Sequence, residues 1–143
     1  MGGLGRVRGM VARGAAVVVV GLLSGGCASM DRDEATWLAL HSMDVAQTLN
    51  AASDPCYEET AWLTSRLIGN QPSDAEVLAW GVGTAVAHAW IGRVLEEQGA
   101  PRWVQKAWDV TTISYTTYTI SQNHADGVRP FGDNQPVDGC YRS

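Results

Sequence analysis

The stretch from Ser73 to Glu97 constrains the fold more than any other part of this chain. It reads Ser-Asp-Ala-Glu-Val-Leu-Ala-Trp-Gly-Val-Gly-Thr-Ala-Val-Ala-His-Ala-Trp-Ile-Gly-Arg-Val-Leu-Glu-Glu. Ser73 followed three residues later by Glu76 is a capping box, in which each side chain takes up one amide of the first helical turn. Pro72 lies just outside, and Gly99 is placed to end the helix with a left-handed residue. Between these signals, Val77 to Leu95 is apolar or small on every face except at Thr84, His88 and Arg93. A helix with no polar face has to be covered, by other helices or by lipid. The segment is therefore expected to be the central helix of an all-α fold.

The flanking sequence supplies the cover. Thr36 to Ala52 sets Trp37, Leu40, Met43 or Asp44, Gln47 and Ala51 along one stripe, which predicts an amphipathic helix with a partly polar seam. Asp54-Pro55 reads as an N-cap followed by a first helical residue, with Glu58 and Glu59 close behind, and predicts a short helix over 55–68 that stops at Gly69-Asn70. Pro101 opens a last helix over 101–124, along which Trp103, Val104, Ala107, Trp108, Thr111, Tyr115 and Tyr118 keep a helical period. The β-branched and aromatic run Thr111 to Ile120 favours strand in isolation, yet the period of three to four continues through it and no partner strand is visible. The expected body is a small bundle of three long helices (36–52, 73–98, 101–124) plus one short helix, followed by an irregular tail over 125–143. That tail is expected to be held by packing of Phe131.

The chain has 143 residues, room for one domain, and its charge is divided unevenly along its length. Arg6, Arg8 and Arg13 precede position 27, and all fifteen acidic residues follow position 30. A chain starting at Cys27 carries seven Lys/Arg against fifteen Asp/Glu. Phosphate binding needs a basic face, so nucleic acid is excluded as a partner class. Electrostatic docking on anionic lipid is disfavoured on the same ground. Six Trp and four Tyr against one Phe give rings that suit a wet interface as well as a core.

Residues 1–26 carry an address. Positive residues 1–13, the short apolar run Gly14 to Leu23 and the small residues after it make a secretory signal, too short to span a bilayer comfortably. The run Leu22-Leu23-Ser24-Gly25-Gly26-Cys27-Ala28-Ser29 resembles the lipobox of bacterial lipoproteins, although Ser24 stands where that family prefers leucine. The resemblance implies that the Cys27 thiol receives diacylglycerol, that a dedicated peptidase cuts before it, and that 27–35 is a tether. Ala28, rather than Asp, implies delivery to the outer membrane with the domain in the periplasm. Cleavage after Ala28, with Cys27 discarded, is the competing reading.

Outside the cytoplasm the two remaining cysteines, Cys56 and Cys140, are expected to bridge, tying the tail to the start of the second helix. Asp44-x-x-Gln47-Thr48, Tyr57-Glu58-Glu59-Thr60 and Ile68-Gly69-x-x-Pro72-Ser73 resemble a group of small helical membrane-associated proteins of proteobacteria. That resemblance implies three or four packed helices and no known activity.

One constellation draws chemical interest. Helices 73–98 and 101–124 must run antiparallel across their short connection, which sets His88 at the level of Thr111 and Thr112. If the first helix also opposes the central one, His41 lies at the height of His88 with Asp44 a turn away. His124 falls at the far end. The cluster His41, Asp44, His88 and Thr111 reads first as a buried polar network that fixes helix register, since buried polar groups need partners. The alternative is a metal or acid–base site on His41, Asp44 and His88, for which zinc would need at least three protein ligands. No nucleophile elbow, phosphate loop, zinc spacing or nucleotide fingerprint is present, so neither a cofactor nor an enzymatic activity is expected. The leading expectation is a membrane-anchored lipoprotein with a binding or structural role, with a protein partner in the envelope. An integral membrane protein with residues 77–95 crossing the bilayer is the alternative.

Overall fold

The computed structural model describes residues 31–59 and 62–136; the expected signal segment over 1–26, Cys27 and Cys140 lie outside them. Four helices follow in order: α1 (Arg32–Ala52), α2 (Trp62–Ile68), α3 (Asp74–Glu97) and α4 (Arg102–Ala125). Three are long and one is short, and no strand occurs among the described residues.

The termini of α3 follow from its sequence. The Ser73 hydroxyl accepts from the Glu76 amide, and the Glu76 carboxylate accepts from the Ser73 amide at 2.8 Å. That backbone bond holds the Glu76 carboxyl below its ordinary range. At the other end Gly99 takes φ +66°, and the amides of Gly99 and Ala100 reach the carbonyls of Glu96 and Leu95. This closure satisfies carbonyls that would otherwise be orphaned. α4 ends the same way: Gly127 at φ +87° and Val128 bond back to His124 and Asn123.

Within α4 the β-branched run stays helical because its hydroxyls find partners one turn back. Thr112, Thr117, Thr119 and Ser121 each donate to the carbonyl four residues earlier. Such back-bonding meets the polar demand of threonine inside a helix.

The contacts fix helix direction. His41 meets Gly81 and Thr84, and Glu34 meets His88, so residue numbers rise on α1 as they fall on α3. Lys106 pairs with Asp33, and Gln47 reaches the Ile120 carbonyl, so α1 and α4 run parallel. α3 is thus antiparallel to both. Gly81 is the point of closest approach: a Cβ placed there would stand 2.8 Å from Val45 Cγ2.

Four expectations need correction. α1 begins at Arg32 rather than 36, taking up part of the supposed tether; Asp33 and Glu34 lie in its first turn, where the helix dipole favours acids. The second helix starts at Trp62, not 55. Asp54 caps a turn instead, its carboxylate accepting from the Cys56 amide at 3.0 Å. Glu59 and Tyr57 are cross-braced to Asn70 and Gln71, which leaves residues 53–59 no helical ladder. The tail is not held by Phe131, which is exposed. Amides hold it: Asn50 donates to the Arg129 and Gly132 carbonyls, and Asn134 donates to Asn50 and Asp54. Finally, α3 is not covered all round. Two long neighbours hide one stripe of it, containing Val77, Gly81 and His88, and leave Val82, Val86 and Trp90 open.

No helix among the described residues is long and apolar enough to cross a membrane, so the reading of residues 77–95 as a bilayer span gains nothing from the fold.

Gly81→Ala therefore forces Cβ into Val45 and should cost about 1–3 kcal/mol by overpacking. Gly92→Ala, where a Cβ meets nothing within 4 Å, should instead stabilise by about 0.5–1 kcal/mol. Urea unfolding of the two variants checks the contrast.

Candidate functional site: a column of imidazole and indole rings

The interior is unusual in what it buries. Among the described residues the buried side chains are apolar at Trp37, Pro72, Val77 and Val128 but polar at His41, Gln47, Asp54, His88 and Thr116. The centre is a column of rings from three helices. Trp37 of α1 stacks on His88 of α3 at 3.6 Å and 5°, and on His41 of its own helix at 4.7 Å and 9°. Two near-parallel rings this close to one indole cannot share a face without overlapping, so Trp37 lies between the imidazoles. Trp108 of α4 closes the column against His88 at 5.0 Å, tilted by 31°.

Each imidazole is pinned by a threonine of the next helix. Thr84 Oγ1 donates to the Trp80 or Gly81 carbonyl and lies 2.9 Å from His41 Nε2. His41 Nε2 is also 2.9 Å from the Gly81 carbonyl, which can only accept. His41 Nε2 therefore carries hydrogen and donates to both oxygens. The arrangement repeats one layer on. Thr112 Oγ1 donates to Trp108 or Asp109, leaving its lone pair for His88 Nε2 at 3.0 Å. On the other edge of that ring, Nδ1 stands 3.1 Å from Glu34 Oε2. This is ion-pair distance but off the hydrogen-bond angles, so His88 Nδ1 is buried without a hydrogen bond; Trp108 Nε1 is buried without one as well.

The sequence placed His41 and His88 at one height, and the structure brings both into the column, although His41 reaches Gly81 and Thr84 rather than residue 87. It does not bring in the other two residues of the expected cluster. Thr111 is exposed, and Thr112 takes the bond, because only one of two adjacent helical positions faces α3. Asp44 joins a second network: Asn123 donates to it and to Gln47, and Gln47 reaches the carbonyls of Ile120 and Val128. Trp37, Thr84 and Trp108 were missed as site residues. Helical spacing placed Trp37 and Trp108 only in apolar stripes, Thr84 stood out only as a polar exception, and no local pattern shows that the two indoles sandwich a histidine.

In this geometry His41, Asp44 and His88 do not converge on a common point. The two imidazoles lie on opposite faces of an indole, so their lone pairs do not converge, and Asp44 turns to Asn123. No group of three His, Cys, Asp or Glu side chains able to hold a metal ion occurs among the described residues. What the column can do is fix helix register, through its ring stacks and its two threonine bonds.

Two groups carry burial-driven shifts. Burial lowers the His41 pKa below 6.5 and His88 lowers it further, against a raising bond to Gly81. Its neutral form is favoured in the fold, so stability present above pH 6.5 is lost as pH falls below it. Burial, with Glu59 second, raises Asp44 from 3.8 to about 6. A raised carboxyl contributes most stability when protonated, so that stability is lost as pH rises from about 4 through about 6.

No known family model matches the chain, and no curated protein or solved structure does either.

Asp44→Asn keeps an oxygen for Asn123 and discards the buried charge. At pH 7.5 it should be more stable than wild type by up to about 3 kcal/mol, since each shifted unit corresponds to about 1.4 kcal/mol. The gain should close as pH falls to 4. Chemical unfolding across that range is the measurement, and a loss of stability at pH 7.5 contradicts the assignment.

Proposed function

We propose that this chain is a bacterial envelope lipoprotein, anchored through diacylglycerol on Cys27, whose helical domain faces the periplasm and acts by binding rather than by catalysis. The observation that carries the binding role is the apolar surface left open on α3 and α4. Val82, Val86 and Trp90 on α3, and Trp103, Val110, Tyr115 and Tyr118 on α4, are all at least half exposed. Apolar surface in such quantity is a mark of an interaction site.

Compartment is supported from two sides. The lipobox-like run Leu22 to Ser29 supports export and lipidation, with Ala28 favouring the outer membrane. Cys56 is disulfide-bonded, and disulfides persist in oxidising compartments. We assign its partner as Cys140, the cysteine left once Cys27 carries lipid. Three acyl chains, or two, anchor far more firmly than one.

Intact-mass analysis of the membrane fraction tests the anchor. The expected mature chain begins at Cys27 with the lipid mass added, and Cys27→Ala should move the protein out of the membrane fraction. A mature chain beginning at Ser29 without lipid overturns the reading.

A further inference from the structure

Down the open side of α3, Glu76, Ala79, Gly83, Val86, Trp90 and Arg93 recur at alternating spacings of three and four residues, and all six are exposed. This is the spacing that keeps one seam facing a partner helix. Val86 and Trp90 are each 64% exposed, and nothing lies within 4 Å of where a Cβ on Gly83 would stand. Read in the opposite direction, the seam is complementary to itself. Glu76 then opposes Arg93, Ala79 opposes Trp90, and Gly83 opposes Val86. Acid meets base and small meets large at every level. Val82 and Ala89, which share one flank of the seam, face each other across the two copies in the same register, and both are exposed.

We propose that α3 of a second copy of this chain occupies this face, antiparallel, about a two-fold axis passing between residues 84 and 85. A two-fold interface uses every contact twice, so the six positions give six levels of pairing. The charges at the two ends have no use inside the chain that competes with this pairing. Arg93 makes no hydrogen bond or ion pair among the described residues. Glu76 spends Oε2 on the Ser73 cap and keeps Oε1 for an incoming guanidinium. Ala79 and Gly83 let the second backbone approach closely while Trp90 and Val86 fill the space above them. An acid-rich chain does not dock electrostatically on anionic lipid, and a matched acid and base at opposite ends select a protein helix over a bilayer. The proposal rests on the binding reading but not on the anchor.

The test uses the full chain in cells, with the photoreactive residue benzoylphenylalanine at Val82, beside the seam. Irradiation should give a product of twice the chain mass, in which position 82 is joined to the neighbourhood of residue 89 of another copy. Gly83→Leu adds a side chain where the folded chain has open space and the second helix has none, so it should cut the yield at least tenfold with helical content unchanged by circular dichroism. Arg93→Glu, which sets acid against Glu76, should lower it as well. Should Gly83→Leu lose helix, the crosslink map of the otherwise wild-type chain decides by itself. A product containing lipid or a different protein, the absence of any product, or an unchanged yield in a folded Gly83→Leu variant overturns the proposal. Loss of lipid from Cys27 with the crosslink retained would count against the anchor alone.

Discussion

The stacking of Trp37 between His41 and His88 is the contact on which the rest of the bundle depends. It joins α1 to α3, and through Trp108 it reaches α4, so three helices meet at one point. Stacked aromatic pairs add about 0.5–1.5 kcal/mol each beyond the area they bury. The more important consequence is directional. An imidazole lying flat on an indole has only its edges left for hydrogen bonds, and those edges point at Thr84 in one case and at Thr112 and Glu34 in the other. The ring planes therefore determine which helical positions must carry hydroxyls and how far each helix slides along its neighbour. A purely aliphatic interface of this size would tolerate slippage by a turn. This one leaves buried imidazole nitrogens unpaired if it slips, at about 1–3 kcal/mol for each.

Below the column the same logic is carried by amides. Gln47, Asn123, Asn50 and Asn134 link α1, the end of α4 and the tail, through the Val128 and Arg129 carbonyls, the Gln47 side-chain oxygen and the Asp54 carboxylate. Gly127 is fixed within this region, since a Cβ there would lie 1.8 Å from the Gln135 carbonyl oxygen. The bundle is thus pinned by polar contacts along its interior, while much of its aliphatic and aromatic surface faces outward. That inversion makes the exposed side of α3 informative: apolar surface not needed for the interior is available to a partner.

Much of the architecture was legible in the sequence. Ser73 with Glu76, and Gly99, mark the ends of α3 through local chemistry that depends on no other part of the chain. The equal height of His41 and His88 rested on taking α1 as antiparallel to α3, a direction the contacts between the two helices show. What was not legible depended on rotation rather than height. Thr111 and Thr112 sit at the same level, and only the packing angle of α4 decides which meets His88. Asp54-Pro55 carries a helix-start signal, but cross-bracing of Tyr57 and Glu59 to Asn70 and Gln71 overrides it. The open face of α3 escaped because the sequence shows that a helix is apolar all round, not how many neighbours reach it.

The protonation pattern of the two imidazoles tests the central claim most directly, by long-range nitrogen–proton correlation on uniformly labelled protein at neutral pH. The account predicts that Nε2 is protonated on both His41 and His88. Both protons should exchange slowly, with nuclear Overhauser contacts to Thr84 and Thr112 respectively. A bare Nε2 on either ring, or rapid exchange of both protons, would mean that the rings are not held edge-on to those hydroxyls and that the column does not set the register of the helices.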